Sequence, residues 1–274
     1  MFVGFIIFLF GLIVGSFLNV LIYRLPRFGL LQRTVLKSEK RTVLGGRSEC
    51  PKCRHTLSWL DLFPVVSFLF LKGKCRYCRK KISLRYPLVE LLTGASFLFL
   101  FLSNKLLDAA SWISFAIWAG VIALLIVLFF IDLEHLIIPD KILIALAIIA
   151  LALLIQGQPL DGGNLWHNIL TGFFSALFFF LIYLATKGKA IGLGDVKFIF
   201  VLGFLFGFPG ILIVIYGALA AGTLWGIVLI WFFGAKLKTK IPFGTVLSAV
   251  SIIFILLNKF LIPALSPYIL HLYV

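Results

Sequence analysis

The sequence predicts an all-α polytopic membrane protein with about eight transmembrane helices and a small cytoplasmic, zinc-ribbon-like loop domain after the first. Three observations predict it. The 274 residues are 62% hydrophobic, with a mean hydropathy of +1.15, whereas an ordinary soluble domain is about half apolar. Several apolar runs approach the roughly 20 residues that a helix needs to cross a bilayer. The formal net charge is +15, and 16 of the 25 Lys and Arg fall between Arg24 and Arg85. Together these exclude an ordinary soluble enzyme.

The first span is Phe2–Tyr23. It lacks the basic start and small-residue cleavage site of a signal peptide, and Arg24 follows it, so it reads as a retained helix. Ser16 and Asn19 share one helical face, either as interhelical hydrogen-bond glue or with Asn19 lining a reaction cavity. Arg24-Leu25-Pro26 is expected to end the helix, because proline disfavours helical backbone at the residue before it.

Residues 24–87 read as a basic extramembrane domain. Its first part, Arg27–Arg47, has no periodicity. Its second part holds all four cysteines, in Cys50-Pro51-Lys52-Cys53 and Cys75-Arg76-Tyr77-Cys78. Two such pairs about twenty residues apart match the ligand spacing of a tetrahedral zinc ribbon. Two disulfides are the alternative. The Lys/Arg excess places the loop in the cytoplasm, where thiols stay reduced. Cys50, Cys53, Cys75 and Cys78 are therefore expected to hold a structural Zn2+, with no coordination position left for chemistry. His55 reads as a surface residue. A nucleic-acid partner is not expected: the run from Trp59 to Phe70 is rich in aromatic and aliphatic residues, suited to packing on membrane or on the other spans. The basic charge is accounted for by topology and attraction to anionic lipid.

Leu88–Leu102 is the second span. Glu90, near its cytoplasmic end, reads as a helix-start carboxylate facing the dipole, a partner for Arg85, or part of a cavity wall. Trp112–Ile131 returns to the cytoplasm and delivers Asp132. Lys141–Ile155 and Asn168–Thr186 follow. Val196–Gly234 is 39 residues, roughly 58 Å as helix and closer to two crossings than one. Lysines at both ends require an even number. The turn falls either at Gly207-Phe208-Pro209-Gly210 or near Gly217–Gly222. A last span runs from Ile241-Pro242-Phe243-Gly244 to about Leu257, completing a membrane core over 88–257, and 258–274 is an outer-side tail. On this map only Lys105 and Lys259 lie outside. That asymmetry places the amino terminus outside and the inner loops in the cytoplasm.

The chemistry-bearing residues fall on two of those inner loops. In Ile191-Gly192-Leu193-Gly194-Asp195-Val196-Lys197, a glycine-flexed turn sets Asp195 at a helix start. Asp132 stands at a helix end. Acids at the edge of a membrane span are costly to keep and mark function. If the two meet, repulsion favours one shared proton. An aspartic peptidase needs that arrangement, with one carboxylate taking a proton from water while the other donates one. The alternative is two independent helix-end carboxylates. Glu134 and His135 compete for the role, although a loop histidine beside acidic residues reads rather as a surface partner, and Asp140 after Pro139 reads as a helix cap.

In order along the chain, Gly15-Ser16-Phe17-Leu18-Asn19-Val20, Arg24-Leu25-Pro26, the two Cys-x-x-Cys pairs, Tyr86-Pro87-Leu88-Val89-Glu90, Ile131-Asp132 with Pro139-Asp140, Gly192-Leu193-Gly194-Asp195-Val196-Lys197 and Ile241-Pro242-Phe243-Gly244 resemble the bacterial prepilin peptidases, or type 4 leader peptidases. Each motif is weak alone; the ordered set is specific. The resemblance implies a membrane aspartic endopeptidase of the bacterial inner membrane. Such an enzyme cuts the basic leader from type 4 prepilins and pseudopilins of pilus or secretion systems at the cytoplasmic face. By matched position, Asp132 and Asp195 are its catalytic pair, with Gly192, Gly194 and Lys197 as the supporting loop. Many members also methylate the new amino terminus with S-adenosylmethionine, whose site in this sequence no fingerprint marks. Glu134 stands where the family often has aspartate. Two other classes stay in view. A proton-coupled transporter predicts internal repeats and midplane acids, yet the acids here cluster at one face. A non-catalytic assembly scaffold predicts dispensable aspartates.

Overall fold

The computed structural model describes residues 2–31, 47–103, 109–155, 164–234 and 241–269. Among them the chain is helical, with two isolated β-bridges as its extended pairing. The helices are α1 (Phe2–Leu31), a 3-10 turn (Trp59–Leu62), α2 (Val66–Phe70), α3 (Arg85–Ser103), α4 (Ala109–His135), α5 (Asp140–Ile155), α6 (Leu165–Thr186), α7 (Leu193–Phe233) and α8 (Phe243–Ile269). Five are long and apolar enough to cross a membrane: Phe2–Pro26, Arg85–Ser103, Ser111–His135, Leu165–Thr186 and Leu193–Phe232. Residues 32–46, 104–108, 156–163, 235–240 and 270–274 lie outside the described residues, among them most of Arg27–Arg47 and parts of the loops expected on the outer side.

The chain divides into two compact units, Met1–Val127 and Leu128–Val274. In the first, α1 and α3 run antiparallel with their backbones nearly touching. A Cβ built on Gly11 would lie 2.7 Å from the Gly94 Cα, and one on Gly15 2.7 Å from the Glu90 Cα. Small residues permit this approach where no hydrophobic drive separates helix from lipid. Asn19 closes the seam: its buried Nδ2 donates to the Gly15 carbonyl at 3.3 Å and the Tyr86 carbonyl at 3.0 Å. Of the two roles open for Asn19, these bonds match interhelical glue. Pro26 lies inside α1, which continues to Leu31. That corrects the expected stop at Arg24-Leu25-Pro26. A proline removes one backbone donor, and a membrane helix can bend around that loss and keep its other bonds.

The segment between α1 and α3 folds on an internal repeat with an offset of 25 residues. The Cys50 amide donates to His55 O and the Arg54 amide to Cys50 O; the Cys75 amide donates to Lys80 O and the Arg79 amide to Cys75 O. The outer pairs repeat as well, Leu57 to Ser48 and Ile82 to Gly73. Arg54 and Arg79 each turn the chain at φ 57. His55 of the first knuckle stacks on Tyr77 of the second at 3.6 Å.

Asp61 fastens the connecting turn to the second knuckle. It accepts from the Ser58 amide and hydroxyl at 3.1 and 2.8 Å, and from Arg76 Nε at 2.7 Å. Burial alone would raise its carboxyl pKa, but the Ser58 donors and the Arg76 guanidinium hold it below the usual carboxylate value. A depressed carboxyl stabilises the fold above its unfolded pKa of about 3.9 and loses that contribution as pH falls through the lower, folded value. Asp61→Asn is expected to weaken the turn by about 1–3 kcal/mol. Amide exchange of residues 58–62 should quicken in the variant near neutrality and match wild type only in strong acid.

The second unit is built around α7. Against α6 it packs antiparallel, with Gly172 and Gly203 at the crossing, where a Cβ on Gly203 would lie 2.7 Å from the Gly172 Cα. Asn168 Nδ2 donates to Phe204 O at 3.1 Å beside it. The helix breaks at Gly207 (φ 62, ψ −172) and Phe208 (φ −98, ψ 134). Only glycine takes that first conformation readily. Contacts with α8 show that the chain turns back there. Phe206 and Gly210 both meet Phe254, Gly217 faces Val250, and Gly226 faces Ile241. Of the two turn sites open in the sequence, the one at Gly207-Phe208-Pro209-Gly210 is used. Residues 193–206 and 209–233 are separate arms whose far ends return to one level. With α5 and α8, the apolar helical segments among the described residues number eight, as expected. α8 continues past Leu257 to Ile269.

Candidate active site

The starts of α7 and α8 meet the end of α4 around Ile138. A Cβ on Gly194 would lie 3.3 Å from the Ile138 Cβ, and one on Gly244 2.9 Å from the Ile138 Cδ1. Both glycines are thus spacers that let two helix starts close on one side chain. Gly192 is the N-cap of α7, and its amide donates to Asp195 Oδ2 at 3.2 Å. Gly194 and Lys197 lie in the first turns of the helix, not on the loop before it.

Asp132 sits in the last turn of α4, which Leu136 ends in the left-handed region at φ 54. It is buried, and its Oδ2 accepts two hydrogen bonds from Thr245: the amide at 2.6 Å and the hydroxyl at 3.0 Å. Both land on one oxygen, Oδ2. Asp195 likewise uses Oδ2 for its cap bond. Gly194 and Gly244 meet the same Ile138 side chain, and Gly244 also lies against Asp132 Oδ2, so the helix start that carries Asp195 and the helix end that carries Asp132, 63 positions apart in the sequence, share one neighbourhood.

Other residues go elsewhere. Lys197 Nζ donates to both Asp140 oxygens, at 2.9 and 3.1 Å, away from the two site acids. That pairing replaces the capping role expected of Asp140. Glu134 and His135 are exposed and face each other at 3.9 Å, as a surface pair. Glu90 belongs to the other unit. Its Oε2 accepts the Val65 amide at 2.7 Å, with Ser16 as a second polar neighbour, so the carboxylate is spent on a backbone donor from the loop. Thr245 is the residue that sequence reasoning missed. A threonine just inside a helix start after Ile241-Pro242-Phe243-Gly244 reads as ordinary capping chemistry, and nothing local tells that its donors aim at an acid on α4.

The four cysteine sulfurs lie within 4.8 Å of one another, and all are free thiols. Ligands about 2.3 Å from a tetrahedral zinc stand roughly 3.8 Å apart, so the cluster fits a metal of that size. Its electrostatics point the same way. Burial opposes ionisation of Cys50, but the Cys53 and Lys52 amides and the thiols of Cys53 and Cys75 bring its pKa down to about 7. The His55 amide favours the Cys53 thiolate, yet desolvation, the neighbouring thiols and the negative charge on Cys50 push Cys53 up to about 11. Crowded thiolates repel, and a cation relieves that.

Comparison with known proteins follows the same division of the chain. Residues 9–104 match the profile of the bacterial peptidase A24 N-terminal domain, and 119–265 that of the type IV leader peptidase family. The prepilin leader peptidase/N-methyltransferase of Bacillus subtilis is 32% identical over 90% of this chain and 92% of its own length. Its namesake in Pseudomonas aeruginosa is 31% identical over 88% and 85%. The type 4 prepilin-like proteins leader peptide-processing enzyme of Escherichia coli is 34% identical over 87% and 88%. No solved structure matches the chain. With a multi-pass membrane fold, two helix-end aspartates at one site and sequence agreement over nearly its full length, the chain belongs to the type IV leader peptidase family.

Proposed function

We propose that this protein cleaves the basic leader from type 4 prepilins and pseudopilins at the cytoplasmic face of the bacterial inner membrane, with Asp132 and Asp195 as its catalytic pair. What carries the reading is the meeting of the α4 end and the α7 start, with each carboxylate anchored through one oxygen. One aspartate takes a proton from water as the water oxygen adds to the scissile carbonyl carbon. The other donates a proton, and the C–N bond breaks to release the amine. Gly192 and Gly194 hold Asp195 in place. Lys197, paired with Asp140, ties the α7 start to the α5 start. Residues 24–87 form the cytoplasmic loop domain, 88–257 the peptidase core and 258–274 an outer-side tail, with the amino terminus outside.

In the loop, Cys50, Cys53, Cys75 and Cys78 hold a structural Zn2+, which fixes the two knuckles against each other. The new amino terminus is then methylated with S-adenosylmethionine. The relatives' names and the family likeness support that step. The described residues offer the donor no glycine-rich turn between strand and helix. The full chain incubated with a prepilin, with and without the methyl donor, is expected to yield the shortened product and, with the donor, a product heavier by one methyl group. An intact prepilin overturns the peptidase reading.

Thr245 is a positioning residue in this scheme. Thr245→Val keeps the backbone donor and the shape but removes the hydroxyl. Losing one bond to a charged group, about 1.5–3 kcal/mol, predicts a fall in cleavage rate of about tenfold or more. The loss should appear in kcat with KM little changed, and Thr245→Ser should restore it. A merely structural role would instead move both parameters or neither.

A further inference from the structure

The apolar run between the two knuckles leaves most of its large side chains exposed. Trp59 is 71% exposed, Leu69 67% and Phe70 83%, and Phe63 beside them is also open. Outside a bilayer, so large an apolar surface on a small domain is a liability and marks an interaction site. Its depth is set by one bond. The Val65 amide is held by Glu90, five residues beyond Arg85 at the start of α3, roughly 7.5 Å along the helix. The bond therefore pins the centre of the exposed run to the first turns of a membrane-crossing helix. Leu84 and Leu88, at the start of that helix, are also exposed, at 66% and 50%. The knuckles that flank the run in the chain carry exposed cations: Lys52, Arg54, Lys74, Arg79, Lys80 and Lys81.

We propose that residues 58–70 form an interfacial anchor, with Trp59, Phe63, Leu69 and Phe70 seated in the headgroup–acyl boundary and the knuckle cations on anionic headgroups. Three features favour lipid as the occupant. The run is bonded to the start of a spanning helix that exposes its own apolar side chains, Leu84 and Leu88, there. Aromatic side chains suit the interface. Basic residues close to an anionic surface are attracted to its headgroups. The arrangement also removes an electrostatic difficulty of the peptidase reading. A loop this basic repels a basic leader, but its charge is offset once anionic lipid covers it.

The test uses the full chain in nanodiscs, wild type against Trp59→Phe, so that the difference isolates one of six tryptophans. Lipids brominated high on the acyl chain should quench the Trp59 signal about twofold, and lipids brominated near the bilayer centre much less, as expected for a residue roughly 5–10 Å below the surface. Quenching should be stronger with phosphatidylglycerol present than in phosphatidylcholine alone. A second reporter, Phe70→Trp in the Trp59→Phe background, should give the same depth, which guards against a local disturbance by the first variant. Absence of quenching overturns the anchor. Equal quenching in both lipids overturns the anionic contact. Loss of quenching on adding a prepilin, or at higher protein density in the disc, assigns the face to a protein instead and overturns the anchor.

Discussion

Asp132→Asn and Asp195→Asn are each expected to abolish leader cleavage while the chain remains folded in the membrane. Asparagine keeps the shape of the side chain and an oxygen to accept the bonds from Thr245 or Gly192, so the helix ends stay in place. What it removes is the ability to carry or release the shared proton. General acid–base catalysis by one positioned group is worth about 10²–10⁴-fold, and neither aspartate can serve as both donor and acceptor in one step. The double variant should therefore be no slower than either single one, because residues acting as a unit lose their effect together. Measuring cleavage of a prepilin in membranes, with helix content as the folding control, checks this. Substantial cleavage by either single variant removes that residue from the pair.

Metal removal should produce the other large effect. Purified protein is expected to carry about one zinc per chain, and Cys75→Ser or strong chelation should release it with the thiols becoming titratable. Structural zinc contributes roughly 10–16 kcal/mol to small domains of this kind near neutral pH. Among the described residues, the two knuckles are tied to each other by the His55–Tyr77 stack and by the bonds of Arg76 and Tyr77 to Asp61, and the run between them is tied to α3 by the Val65–Glu90 bond. Amide exchange across both knuckles should approach the rate of unfolded chain. The ligands must be thiolates, so zinc is retained at neutral and alkaline pH and lost as pH falls and protons compete for sulfur. Stable disulfides with no metal would end this reading.

Much of the site was legible because it depends on short stretches. Gly192-Leu193-Gly194-Asp195 encodes its own cap, with the acid three residues after the N-cap glycine and bonded back to it. The four knuckle ligands are encoded in two copies of one local turn, each closed by hydrogen bonds spanning four or five residues. Pro26 was misread because a local rule about proline was applied to a helix that keeps its bonds on either side. Asp140 was misread because its partner, Lys197, comes from 57 residues away.

From the order of its residues alone the chain determined its helices, its charge asymmetry, the spacing of its cysteines and the identity of its two helix-end acids. These follow from apolar run length and from the backbone geometry of a few neighbours. Tertiary structure alone decided which polar group each buried acid meets: Asp132 with Thr245, 113 positions on, and Glu90 with the Val65 amide, 25 positions back. It also decided that α7 doubles back at Gly207. The physical reason is that in an apolar chain nearly every helix is sticky all round, so hydropathy leaves partner choice open. Close approach at glycine and the need to satisfy each buried polar group then select one packing.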